Sequence, residues 1–73
     1  MERYRNLSGN SGVQAYEILH DAIRVRFAGS ARVYRYSHAS AGRHHVAEMK
    51  RLALAGRGLS TYISRHVHDR YEQ

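Results

Sequence analysis

The clearest pattern in the chain is Ala22-Ile23-Arg24-Val25-Arg26-Phe27, where apolar residues alternate with arginine. A period of two sends alternate side chains to opposite faces of a strand. Gly29-Ser30 has the composition of a two-residue hairpin loop, and Ala31 to Ser37 returns as the next strand. Upstream, Val13 to Ile18 reads as a strand of imperfect alternation, joined to Ala22 by a turn at Leu19-His20-Asp21. The period then changes. Val46, Met49, Leu52 and Ala53 recur at helical spacing, which predicts a helix over 41–55 with Ser40 as its N-cap. Gly56-Arg57-Gly58 is its stop signal. Leu59, Ile63, Val67 and Tyr71 then stand four residues apart, predicting a second helix capped by Ser60 and running to His68.

Residues 1–12 are polar and rich in Gly and Ser, so they read as an N-terminal arm or loop, and 13–73 as a single domain. The expected fold class is α+β: a three-stranded antiparallel β-meander with one face covered by two C-terminal helices, in the order β-β-β-α-α. The Gly29-Ser30 loop also fixes a register. Ala28 then faces Ala31, Phe27 faces Arg32, Val25 faces Tyr34 and Ile23 faces Tyr36. Directly opposed residues share a face, so Tyr34 and Tyr36 join Ile23, Val25 and Phe27 on the apolar side. The other side opposes Arg24 to Arg35 and Arg26 to Val33, and like charges placed so are destabilising without a counter-charge.

Composition narrows the function. A chain of 73 residues holds one domain, and a domain that small buries only about 60% of its unfolded surface, which leaves little room for an enclosed catalytic cavity. With no Cys there is neither a disulfide framework nor a thiolate zinc site. No apolar run approaches the roughly 20 residues needed to cross a bilayer, and the start Met1-Glu2-Arg3-Tyr4-Arg5 has no signal-peptide core, so a cytoplasmic location without membrane contact is expected. Twelve basic against six acidic side chains give a net charge of +6, and eleven of the twelve are arginine. Arginine's planar fork suits phosphate, and this balance points to an anionic partner such as nucleic acid.

Tyr34-Arg35-Tyr36, then Gly58, Tyr62-Ile63, Val67 and Asp69-Arg70-Tyr71, in this order, resemble the motifs of the KTSC domain, a module found at the C-terminus of some lysyl-tRNA synthetases and alone in short bacterial and phage proteins. The central Tyr-x-Tyr falls on Tyr34-Arg35-Tyr36, after a strand and a glycine turn. The tail pattern falls on Gly58, Tyr62-Ile63, Val67 and Asp69-Arg70-Tyr71. Met1-Glu2-Arg3 and Tyr16-Glu17 are similar to family starts. The likeness spans essentially the whole chain. It departs from the family at Ser37-His38-Ala39-Ser40-Ala41-Gly42, where a proline often opens the first helix, and in a longer loop after Gly58. The resemblance implies an α+β fold and RNA binding, with no established activity and no catalytic residues.

Two readings of Tyr34 and Tyr36 stand side by side. Exposed sheet aromatics stack on bases, but the register favours core rings with hydroxyls at a polar rim. Arg24, Arg26 and Arg35 are the leading phosphate contacts; the alternative is a solvated face in which Glu17 neutralises Arg24. Lys50, Arg51, Arg57 and Arg65 are secondary RNA-binding candidates around the helix-helix turn, where Gly56 and Gly58 would let backbone N–H groups reach a phosphate. Gly58, Ile63, Val67 and Tyr71, with the two tyrosines, are the family-motif positions and read as structural. His44-His45 and His66-Val67-His68 diverge on a helix, so no metal site is expected. Neither a nucleophile motif nor paired carboxylates in an apolar setting is present, so no enzyme, cofactor or small-molecule substrate is expected. The leading expectation is thus an RNA-binding module; the runner-up is protein–protein interaction or self-association through open sheet edges.

Overall fold

A computed structural model describes residues Met1–Glu72. Four antiparallel strands, β1 (Glu2–Arg3), β2 (Val13–Leu19), β3 (Ala22–Phe27) and β4 (Val33–Ser37), lie side by side in chain order. Helix α1 (Arg43–Ala55) follows, then a short α2 (Leu59–Tyr62) that runs directly into a π-helical turn, Ile63–Val67. The α+β architecture, with helices on one face of an antiparallel sheet, matches the pattern of the sequence.

The central register also matches. Ile23 pairs with Tyr36, Arg24 with Arg35, Val25 with Tyr34 and Arg26 with Val33. The ladder stops there, however, and the expected Phe27–Arg32 and Ala28–Ala31 pairs do not form. Instead a wider loop is closed by the Ser30 N–H donating to the Phe27 carbonyl at 3.1 Å, with Gly29 at φ 79°.

The amino-terminal segment departs furthest from expectation. Residues 2 and 3 are not arm but an edge strand, pairing Glu2 with Tyr16 and Arg3 with Ala15. Tyr4 is only 3% exposed, and its hydroxyl accepts the Leu59 N–H at 3.3 Å. The Leu7 N–H donates to the Gly56 carbonyl at 2.7 Å, and the Arg5 guanidinium donates to the Leu54 carbonyl. One tyrosine thus pins a segment whose polar composition hides it. Gly56 serves both elements: at φ 77° it ends α1, and a Cβ there would lie 2.9 Å from Arg5 Cβ.

Both helix starts shift. Ser40 does not cap α1; its hydroxyl accepts the Ser37 N–H at 3.0 Å while Ser37 Oγ accepts the Ser40 N–H at 3.1 Å. That exchange shapes a turn before Gly42, whose φ of 100° leads into Arg43. Ser60 lies inside α2, which starts from Gly58 at φ 81°.

The covered face is one continuous core. Tyr4, Tyr16, Ile23, Val25 and Tyr36 pack against Val46, Met49, Ala53, Leu59, Ile63 and Val67. Burying each large apolar side chain is worth about 1.5–3 kcal/mol, and this is what holds a sheet with so short an edge strand. The sheet edges are narrower than a bare meander would leave them. β1 covers part of β2, and the Glu72 N–H donates to the Arg35 carbonyl at 2.7 Å on the outer side of β4. Among the described residues no helix is long and apolar enough to cross a membrane.

Candidate functional site

Strand alternation places the charged residues of β2, β3 and β4 on the face the helices leave open, in cross-strand rows. The middle row runs Glu17, Arg24, Arg35. Arg24 donates to Glu17 at 2.7 Å, and Arg35 donates to Glu72 at 2.6 Å and to Asp21 at 3.2 Å. Two guanidiniums therefore meet three carboxylates, and the opposed arginines have their counter-charges. Hydrogen bonds from the Ser37 hydroxyl and then from Arg35, together with the charge of Arg35, outweigh desolvation and the charge of Asp21 and hold the Glu72 carboxyl below its ordinary range. All these groups are partly solvated, where an ion pair stabilises by about 0–1 kcal/mol. Two of the three leading sequence candidates, Arg24 and Arg35, are thus engaged inside the chain.

The neighbouring row runs Arg3, Ala15, Arg26, Val33 and has a different character. A register shift between Val13 and Ala15 inserts Gln14 as an extra residue, as in a β-bulge. Met1, Arg3, Gln14, Ala15 and Arg26 line a cleft of about 500 Å³ with no acidic side chain among them. Arg26 Nε is buried without a hydrogen-bond partner. The four ion pairs among the described residues use Arg24, Arg35 and Arg51, leaving Arg3 and Arg26 with none. Ala15, between the two arginines on the ladder, is itself only 5% exposed. Arg3 is not among the sequence candidates because residues 1–12 read as an arm.

The secondary candidates do not share one geometry. Lys50 turns to the β2–β3 hairpin, donating to the carbonyls of Leu19 at 2.7 Å and His20 at 3.2 Å. Arg51 forks onto Glu48, one bond measuring 3.0 Å. Arg57 and Arg65 are exposed, on the α1–α2 link and the π-helical turn. The Gly56 N–H is spent on the Leu52 and Ala53 carbonyls, so it closes the helix and offers no donor to a phosphate. The comparisons add no relative. No protein-family model, curated protein or solved structure matches the chain.

The aromatic pair is split. Tyr36 is 1% exposed, and burial, helped by Tyr34 and Tyr71, pushes its hydroxyl up to about 12. Tyr34 is only half-buried, because the β3–β4 ladder opens beside it. Its ring meets Phe27 edge-on at 5.6 Å and Tyr71 at 4.7 Å, while the Arg32 guanidinium lies 4.7 Å from its centroid and 5.2 Å from that of Tyr71. Of the other motif positions, Ile63 and Val67 are core, Gly58 opens α2 and Tyr71 packs at the core's margin.

The histidines converge more than their spacing suggested, because the π-helical turn brings His66 to α1. His45 and His66 stack at 5.7 Å, and His45 Nδ1 shares a 2.7 Å hydrogen bond with the Tyr62 hydroxyl. Among the described residues no group of three or more His, Asp or Glu is placed to hold a metal.

Proposed function

We propose that the chain is a small non-catalytic RNA-binding module of the cytoplasm, holding phosphates through arginines that its own carboxylates do not engage. The observation that carries this reading is the Arg3–Ala15–Arg26 row: two guanidiniums at an open cleft lined by no acidic side chain, neither of them in an ion pair. The Arg26 Nε is shielded, so an incoming phosphate would meet the outer guanidinium nitrogens, which no carboxylate of the chain engages. The net charge of +6 and the KTSC-like motifs support the same partner. Phosphate contacts fix position and carry no base identity, so binding of this kind works by counterion release and shape.

The test is the salt dependence of RNA affinity. Arg3→Gln with Arg26→Gln should flatten the slope of log affinity against log salt by ~1.4–1.8, since each contact contributes roughly 0.7–0.9. Glu17→Gln with Arg24→Gln removes an ion pair as a unit and should leave the slope unchanged. Wild-type protein with no salt-sensitive RNA binding at low ionic strength would reject the reading.

A second reading, docking of a protein or a second copy, is favoured by one feature. Met1, Ile18 and Leu54, exposed by 53%, 39% and 58%, line a common cleft beside the outer edge of β2. An apolar contact there would persist at high salt, where phosphate binding fails. Sedimentation at rising concentration and high salt checks it: a single monomeric species rules out self-association.

A further inference from the structure

We propose that the cleft between β4 and the π-helical turn takes one unstacked guanine base, with Asp69 reading its donor edge; this rests on the RNA-binding reading above. The cleft measures about 380 Å³, and its lining includes Phe27, Tyr34, Tyr71, Ser60, Ser64 and Asp69. A space of that size lies at the lower end of small-ligand sites, where apolar walls and a few polar groups are the usual arrangement.

Three observations point to a base. First, the walls are aromatic and meet edge-on: Tyr34 against Tyr71 at 85°, and Phe27 against Tyr34 at 75°. Aromatic walls of this kind suit a base, which packs against ring faces and edges alike. Second, Arg32 already lies over Tyr34 and Tyr71. A cationic guest would meet that charge, whereas a nucleotide brings a phosphate to it. Third, Asp69 lines the cleft, and among the described residues it takes part in no ion pair and no side-chain hydrogen bond. An ionised carboxylate only accepts. The Watson–Crick edge of guanine presents two adjacent donors, N1–H and N2–H, which match the two carboxylate oxygens. Adenine, cytosine and uracil each place a lone pair beside their donor and meet repulsion. Unpaired bases of loops and single strands are what proteins read in RNA, so the target is a guanine outside a helix.

The experiment titrates uridine hexamers, unmodified or with one central guanosine, adenosine or cytidine, at fixed low salt. Tyrosine fluorescence follows binding cleanly, since the chain has no Trp. The guanosine hexamer should bind about tenfold more tightly than the others, the scale of one good two-bond base contact. Asp69→Asn is an exposed, near-isosteric change. It should abolish that preference by raising uridine-hexamer affinity toward that of the guanosine hexamer, because the variant loses the carboxylate that repels uracil. Salt-sensitive but equal binding of all hexamers overturns the guanine site and leaves the RNA reading standing. A guanosine preference that survives Asp69→Asn likewise overturns it. Absence of any salt-sensitive binding removes both.

Discussion

The two faces of the same three long strands are fixed by different physics. On the covered face, position follows from shape: Tyr16, Ile23, Val25 and Tyr36 have one place to go, because helices meet them from above. On the open face, position follows from partners. Arg24 and Arg35 are held by carboxylates drawn from β2, the β2–β3 turn and the C-terminal tail, while Arg26, two residue pairs along the ladder, has none. Packing makes a face uniform, whereas charge pairing divides it into neutralised and uncompensated rows. The arginines of one face are therefore not equivalent: the Arg3–Arg26 row alone among these rows has no ion pair.

The largest test of that contrast removes a ring from the covered face. Tyr36→Ala should cost ~3–5 kcal/mol, the range for deleting a large buried ring, and most of a small domain's stability. Tyr34→Ala, on the half-buried neighbour, loses its edge-on partners and should cost on the order of 1–2 kcal/mol. Chemical denaturation of the two variants checks the ranking. Equal losses would mean that Tyr34 belongs to the core as fully as Tyr36 does. On the open face, Glu17→Gln should move the unfolding free energy by less than about 1 kcal/mol, and less still at high salt. A larger loss would show that the arginine row is structural, as the covered face is.

What the sequence revealed divides along the same line. The alternation in Ala22–Phe27 and the spacing of Val46, Met49 and Ala53 place the core, because hydrophobic periodicity records packing directly. The Arg24–Arg35 opposition was legible too, and so was Glu17 as the neutralising partner of Arg24. Other open-face features were not. Arg35 finds Glu72, separated from it by 37 residues, a pairing no local period encodes. Arg3 reads as part of an arm because two residues cannot show alternation, whereas its pairing with Ala15 and the bond from Leu59 to Tyr4 are tertiary. The Ser40 cap failed for a related reason: Ser37 lies close enough to exchange hydrogen bonds with it, and that exchange displaced the helix start to Arg43. The π-helical turn, which joins His66 to His45, leaves no mark in a four-residue apolar spacing.

The smallest expected effect lies where the tail crosses the open face, and it is read by pH. The hydroxyl of Ser37 and then the guanidinium of Arg35 hold the Glu72 carboxyl below its ordinary range in the folded chain. The unfolded chain then binds the proton more readily, so stability rises with pH through this interval. The stabilisation from Glu72 is complete above the ordinary carboxylate value near ~4.3 and is lost as pH falls through the lower folded value. Glu72→Gln removes the titration while keeping length and a hydrogen-bonding end. The difference in stability between wild type and variant should therefore be present at about pH 6 and close as the pH falls through the folded value. Salt should narrow it at the higher pH, because these groups are partly solvated. A difference that stays constant with pH would mean that the carboxylate is not what ties the tail to β4. The Glu72 N–H bond to the Arg35 carbonyl and the packing of Tyr71 would then hold that edge by themselves.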